Sequence, residues 1–163
     1  MDSGSQFPLI DVLVKHHVPY VIVGGHAVVF HGFVRSTEDI DILFLRNRDS
    51  EIALSHALAE LDAHWISNEI DPKTKIERIH PVSLSYVQSN RLLMVTTNLG
   101  FLDIFDYVPG LPEAPVEQLF NDAISVEQYR FVSLGWLRKM KEAAGRQKDL
   151  LDLENLPIQD ESE

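Results

Sequence analysis

The stretch that decides the fold is Val21–Phe44, VIVGGHAVVFHGFVRSTEDIDILF. It completes an apolar run over 18–23, VPYVIV, which predicts a buried strand. Gly24 and Gly25 break that strand, and the residues from 26 to 33 predict a short helix. A helix that begins at a glycine bend presents unpaired backbone N–H groups and the positive end of its dipole. The pattern therefore predicts a place for the phosphates of a nucleotide.

The end of the same stretch predicts a second buried strand over 40–45, and it carries two aspartates, Asp39 and Asp41. Side chains alternate along a strand, so both carboxylates are expected on one face, with their Cβ atoms roughly 7 Å apart. Burying them unpaired would cost free energy, and they repel each other. A divalent cation removes both problems, and carboxylate oxygens suit Mg²⁺ or Mn²⁺.

The remaining sequence predicts a mixture of helices and strands. The predicted helices cover 7–16, 49–64 (with Asp49 as N-cap), 116–123, 133–144 and 147–155, and the predicted strands cover 83–88, 91–97 and 101–107. Residues 65–82 fit neither pattern clearly. The expected fold class is α+β (mixed α/β), with a mixed sheet flanked by helices and a short C-terminal helical segment.

The 163 residues are expected to form one domain, because this length and an apolar fraction of 45% are typical of a single core. The predicted core spans about 7–108, and C-terminal helices follow over about 115–156. Residues 157–163 are expected to form an acidic tail with little order.

Composition restricts the possible environments and partners. The chain has no cysteine, which excludes disulfides and thiolate metal sites, and we expect a cytoplasmic protein with no membrane span. A net charge of −11 argues against extensive binding to DNA. Six of the 14 Lys and Arg residues nevertheless lie between Arg130 and Lys148, either as an anion-binding surface or as a solvated helix face.

Taken together, the motif resembles the signature of the nucleotidyltransferase superfamily, which has a DNA polymerase β-like fold. More narrowly, it is similar to the bacterial branch that includes the AbiEii-type toxin nucleotidyltransferases and related small proteins. The residues that match are Gly24, Gly25, Ala27, His31, Gly32, Arg35, Thr37, Asp39 and Asp41. The resemblance implies transfer of a nucleoside monophosphate from an NTP to a hydroxyl on an RNA end, a protein side chain or a small molecule. It also implies a possible role in a toxin–antitoxin pair, with a cognate toxin or antitoxin as partner.

The resemblance further implies a third carboxylate, which would be a general base or a further metal ligand beside Asp39 and Asp41. The candidates are Asp103 and Asp106 in FLDIFDY. They are three residues apart and face opposite sides of a strand, so only one can join the pair. Asp103 matches the family position better.

Phosphate contacts are expected from the glycine bend and from residues near it. Gly24 and Gly25 would hold the triphosphate, His26 could touch a phosphate, Arg35 could bind an anion, and Thr37 could order the loop before the metal strand. A zinc site is not indicated, because His26 and the histidine five residues later do not share a helix face and no HExxH motif is present.

The C-terminal segment KMKEAAGRQKDLLDL also resembles the same bacterial families, where a lysine and an arginine–lysine–aspartate cluster lie near bound phosphates. The equivalent residues are Lys141, Arg146 and Asp149. Lys141 falls on the apolar stripe of its predicted helix, so it either extends to solvent along that surface or points into a cleft.

Two other interpretations remain. The chain could be a non-catalytic member of the fold that binds a partner protein, as an antitoxin would, because a strongly acidic surface suits a basic partner. Alternatively, the aspartate pair could be purely structural in an α+β domain.

Overall fold

The computed structural model describes residues 5–37 and 39–158, so most of the predicted acidic tail lies outside the described residues. Within those ranges the helices are α1 (Pro8–Lys15), α2 (Gly24–Phe30), α3 (Arg48–Glu60), α4 (Leu84–Ser89), α5 (Val116–Asn121), α6 (Leu134–Ala144) and α7 (Gln147–Asn155). The strands are β1 (Tyr20–Val23), β2 (Ile40–Phe44), β3 (His64–Ile70), β4 (Glu77–Pro81), β5 (Leu92–Thr97), β6 (Gly100–Phe105), β7 (Ile124–Val126) and β8 (Tyr129–Phe131).

The eight strands of the described residues form one mixed sheet in the order β4-β3-β5-β6-β2-β1-β8-β7. The β2–β6 and β1–β8 pairs are parallel, and the other neighbours are antiparallel. The predicted α+β class, with a mixed sheet, flanking helices and a C-terminal helical segment, is confirmed. None of the helices in the described part of the chain is both long and apolar enough to cross a bilayer.

The sheet separates two apolar clusters. On one face, Ile42 and Phe44 of β2 pack with α1 and α3, for example with Leu54. On the other face, Leu43 packs with α2 and α6, where Leu137 is fully buried. Because β1 and β2 are covered on both faces, the strand that carries Asp41 is held rigidly at the centre of the molecule.

The strand predicted over 83–88 is wrong, because this segment forms α4. The Ser83 side chain accepts a hydrogen bond from the backbone N–H of Tyr86 and so caps the helix. The ring of Tyr86 stacks on Trp65 with centroids 4.9 Å apart, and Val87 is fully buried. Capping and tertiary packing therefore outweigh the alternating pattern.

Two further differences concern element ends and short strands. Helix α3 begins after Asn47 rather than Asp49, because the Asn47 and Ser50 side chains each bond the other's backbone N–H. The strands β7 and β8 were not predicted, since each has three residues and is too short for a periodic signal.

Candidate active site

Two aspartates meet at the centre of the sheet. The β2–β6 register places Asp41 directly beside Asp103, and the β1–β2 register places Val23 on the other side of Asp41. The carboxylates of Asp41 and Asp103 are in hydrogen-bonding contact. The contact follows from parallel pairing, which brings residues of the same face together on neighbouring strands about 4.8 Å apart.

Electrostatics at this pair disfavour two negative charges. Burial, and then the charge of Asp103, raise the pKa of Asp41 to about 7, while Lys148 acts in the opposite direction. Burial also raises the pKa of the Asp103 carboxyl, and the charge of Asp39 adds to it. Near neutral pH the metal-free site therefore retains a proton that a bound cation would replace.

Asp39 lies at the edge of the same cavity rather than in the strand. The strand β2 begins at Ile40, and Asp39 occupies the bend before it with its side chain exposed. The prediction that both aspartates lie within one strand is therefore wrong, because Asp39 precedes β2. The residue paired with Asp41 is Asp103 on β6. Among residues 5–37 and 39–158, no three His, Asp or Glu side chains are already gathered as a metal cluster.

The glycine bend abuts these carboxylates. Gly24 has φ +67°, and a Cβ atom there would overlap Oδ2 of Asp41 and lie 3.0 Å from its Cγ. A Cβ atom at Gly25 would overlap Oγ1 of Thr37 and lie 3.3 Å from Nη1 of Arg35. Both glycines therefore permit close approach of the backbone to polar side chains.

All these residues face one cavity of about 550 Å³. Its walls combine the glycine bend, the three aspartates, two hydroxyls and three cations, and its lining comprises Val23, Gly24, Gly25, Arg35, Ser36, Thr37, Asp39, Asp41, Asp103, Phe105, Pro109, Arg146 and Lys148. Carboxylates and cations in one cavity suit a metal-bound polyphosphate. The donor set is entirely oxygen, which fits a hard cation such as Mg²⁺.

A buried ion network holds the cationic wall in place. Asp152 is 1% exposed and accepts two hydrogen bonds from Arg35, at 2.9 Å from Nε and 3.1 Å from Nη2. Asp149 is 0% exposed and accepts from Nε of Arg146 at 2.7 Å. Burial works against ionisation, but the bonds from Arg146 and Lys141 hold the pKa of Asp149 below its usual range. The helix α7 therefore fixes both arginines beside the cavity.

Two predicted phosphate contacts lie away from this cavity. Lys141 neither reaches solvent nor enters the cleft, because its buried Nζ pairs with Asp149 at 3.3 Å and Asp152 at 3.0 Å. The His26 ring packs edge-on against Phe7, with centroids 5.3 Å apart, and lines a separate aromatic cavity. Residues close to them in the chain, such as Gly25 and Arg146, line the cavity, but the Lys141 and His26 side chains do not.

Asp106, the alternative third carboxylate, serves another purpose. It accepts hydrogen bonds from Arg46 at 2.7 Å and from Arg91 at 2.8 Å, on a part of the sheet that does not line the cavity. Its side chain is only 8% exposed, so Asp106 is a buried ion-pair partner within the fold. Of the two candidates, Asp103 is the one that pairs with Asp41 and lines the cavity.

Sequence reasoning missed Lys148 and Asp152. Lys148 lines the cavity and lowers the pKa of Asp41, and Asp152 orients Arg35. The available signal was an aspartate three residues after Asp149, which places two carboxylates on the same face of α7.

Comparisons with known proteins find solved structures that resemble this chain, but they find no family to which it belongs. No protein-family model and no curated protein matches the chain. Among solved structures, the crystal structure of JHP933 from Helicobacter pylori matches with a TM-score of 0.45 and 18% identity, covering 89% of this chain and 61% of that one. The crystal structure of a "putative nucleotidyltransferase" from H. pylori matches with a TM-score of 0.39 and 17% identity, covering 82% of this chain and 54% of that one. The chain thus spans less than two thirds of either protein.

Proposed function

We propose that this chain is a metal-dependent nucleotidyltransferase, which transfers a nucleoside monophosphate from an NTP to a hydroxyl group and releases pyrophosphate. The observation that supports the proposal is one cavity that joins the Asp41–Asp103 pair to a glycine bend and to three cationic side chains. A structural role alone does not explain two carboxylates in contact, each with a raised pKa, at an open cavity.

In this proposal Asp41 and Asp103 would hold Mg²⁺ or Mn²⁺, and Asp39, which lines the same cavity, would be a further ligand. When bound, such an ion neutralises phosphate charge and stabilises the charge that develops during displacement. Arg35 and Lys148 would bind the β- and γ-phosphates, since both line the cavity. The immobilised Arg35 is suited to this, because it needs no reorganisation when the phosphate arrives.

The reaction is an in-line displacement at the α-phosphorus. The acceptor oxygen forms the new P–O bond, and the bond from the α-phosphorus to the bridging oxygen breaks, so that pyrophosphate leaves with the electron pair. The proton of the acceptor hydroxyl passes to a carboxylate oxygen of Asp103.

The direct test compares Asp41→Asn with Asp106→Asn, in labelling assays with α-³²P-labelled NTPs and Mg²⁺. Asp106 is the control, because it is a largely buried carboxylate that does not line the cavity. Its two arginine partners, Arg46 and Arg91, lie outside the cavity as well. Losing a metal ligand removes several kcal/mol of transition-state stabilisation, so labelling in Asp41→Asn should fall by roughly a thousandfold. Asp106→Asn should retain labelling to the extent that it folds.

Labelling that persists in Asp41→Asn would refute the proposed active site. Tight binding of MgNTP to the native protein without any turnover would instead favour the second interpretation, a binding protein of the toxin–antitoxin type that has kept the site but not the reaction. Isothermal calorimetry with a non-hydrolysable NTP analogue distinguishes these two results.

A further inference from the structure

A single row of side chains crosses the sheet through the candidate site. The strand registers pair Val23 with Asp41, Asp41 with Asp103, and Asp103 with Met94. Paired residues on neighbouring strands point to the same face, so the row runs from the glycine bend, over both carboxylates, to Met94 on β5.

The row continues as an exposed apolar surface. The β3–β5 pairing ends at Trp65 and Val95, and the next residues along these two strands are Ile66 and Met94. Ile66 in turn pairs with Ile79 on β4. Met94, Ile66 and Ile79 are 60%, 49% and 60% exposed, which is unusual for three large apolar side chains in line.

The charge differs between the two ends of the row. Arg35 lies beside Gly25 and donates to Asp152 of α7. The other two cations that line the cavity, Arg146 and Lys148, lie at the start of the same helix, so α7 places them toward the glycine end. Among the described residues of β3, β4, β5 and β6 the only Lys or Arg is Arg78, which points to the opposite face because it alternates with Ile79. On this face the described residues of β3 to β6 therefore offer no cation to neutralise a phosphate backbone, and the chain as a whole carries −11.

In-line displacement then fixes the two ends of the reaction. The pyrophosphate must leave toward the cations, and the attacking hydroxyl must arrive from the opposite side of the α-phosphorus. That side is the Asp103–Met94 end of the row. The body of the acceptor therefore lies over Met94, Ile66 and Ile79, which are one, two and three strand spacings of about 4.8 Å away from Asp103.

We propose that this apolar row, Met94–Ile66–Ile79, is the docking surface for a protein acceptor, whose modified hydroxyl is flanked by apolar side chains. The inference rests on the proposed function. A nucleic-acid acceptor is disfavoured by the absence of cations on the described strands of this face. A small molecule would normally require a concave pocket, whereas this row follows an open sheet face, as protein contact surfaces do.

The chain contains only three methionines, so ¹³C-methyl methionine NMR tests the surface directly. Met94 reports on the row, and the buried Met140 of α6 is an internal control. The two probes are a short peptide with tyrosine between leucines and an oligoribonucleotide of six adenylates. The peptide should shift the Met94 methyl resonance in the millimolar range and leave Met140 unchanged, and the oligoribonucleotide should shift neither.

A matched pair of variants locates the effect. Ile66→Glu places a charge in the row, and Val126→Glu does the same at a similarly exposed β-branched residue on the far edge strand β7. Ile66→Glu should weaken peptide binding at least about tenfold, and Val126→Glu by less than about twofold. MgNTP affinity should stay unchanged in both, because neither residue lines the cavity.

Several results would overturn the docking surface: no Met94 shift with the peptide, a stronger shift with the oligoribonucleotide, or a shift with protein concentration alone, which would mean that a second copy covers the row. The proposed function fails separately. If Met94 responds to the peptide but no acceptor is ever labelled, the row is a peptide-binding surface and the proposed transferase activity is wrong. If the oligoribonucleotide is labelled while the Met94 resonance stays unchanged, the transferase activity is supported and the docking of a protein acceptor on the row is wrong.

Discussion

Replacing Asp152 by alanine tests whether the buried network holds α7 against the rest of the molecule. Asp152 is 1% exposed and accepts from Arg35 at 2.9 and 3.1 Å, while Nζ of Lys141 lies 3.0 Å away. Removing one partner of a buried ion pair typically costs about 3–5 kcal/mol, because the remaining charges stay buried without compensation. Lys141 keeps Asp149 at 3.3 Å, so the lower end of that range, about 3 kcal/mol, is expected.

A loss of that size is large against a total stability of about 5–15 kcal/mol. For a chain of this length each kcal/mol corresponds to about 2–4 °C, so the melting temperature should fall by about 6–12 °C. Urea unfolding followed by the fluorescence of Trp65 and Trp136 measures the free energy directly. Asp152→Asn, which keeps the shape and some hydrogen bonds, should lose less than Asp152→Ala.

The matched comparison is Glu60→Ala, which removes the surface ion pairs from Glu60 to Lys15 and His16. Solvent screens exposed pairs, so Glu60→Ala should change stability far less than Asp152→Ala does. If Asp152→Ala costs no more than Glu60→Ala, the network does not stabilise the fold, and the claim that α7 fixes the position of Arg35 is wrong.

Three further predictions concern the cavity. First, because burial and Asp103 raise the pKa of Asp41 to about 7, the metal-free protein loses the stability of the neutral carboxyl as pH rises through 7, and Mg²⁺ binding strengthens over the same interval. The thermal shift produced by Mg²⁺ should be larger at pH 8 than at pH 6, and equal shifts would contradict the assignment. Second, Gly24→Ala should destabilise the protein by about 2 kcal/mol or more, through its positive φ and overlap with Asp41, whereas Gly32→Ala, with positive φ but no atom within 4 Å, should cost less in the same unfolding assay. Third, Lys148→Met should weaken binding of a non-hydrolysable NTP about tenfold by calorimetry, and unchanged affinity would remove Lys148 from the phosphate wall.

Local patterns in the sequence were sufficient for most of the central fold. The apolar runs around Ile22 and Ile42 became buried strands, and the glycine bend between them became the start of α2. The segment around Val87 misled, because an alternating pattern of six residues is compatible with both a strand and a capped helix, and packing of Tyr86 on Trp65 decided between them.

The sequence by itself determined that Asp41 emerges from an apolar strand beside a glycine bend, since alternation and backbone freedom are local properties of the chain. Only the tertiary structure decided which carboxylate meets Asp41. That partner is Asp103 because parallel pairing of β2 with β6 sets the register between two distant segments, and no local pattern encodes register. The same holds for Asp152, whose contact with Arg35 exists only because α7 packs beside the loop before β2. The local sequence determines the chemistry of a side chain and the face to which it points, but its partners depend on how distant elements pack.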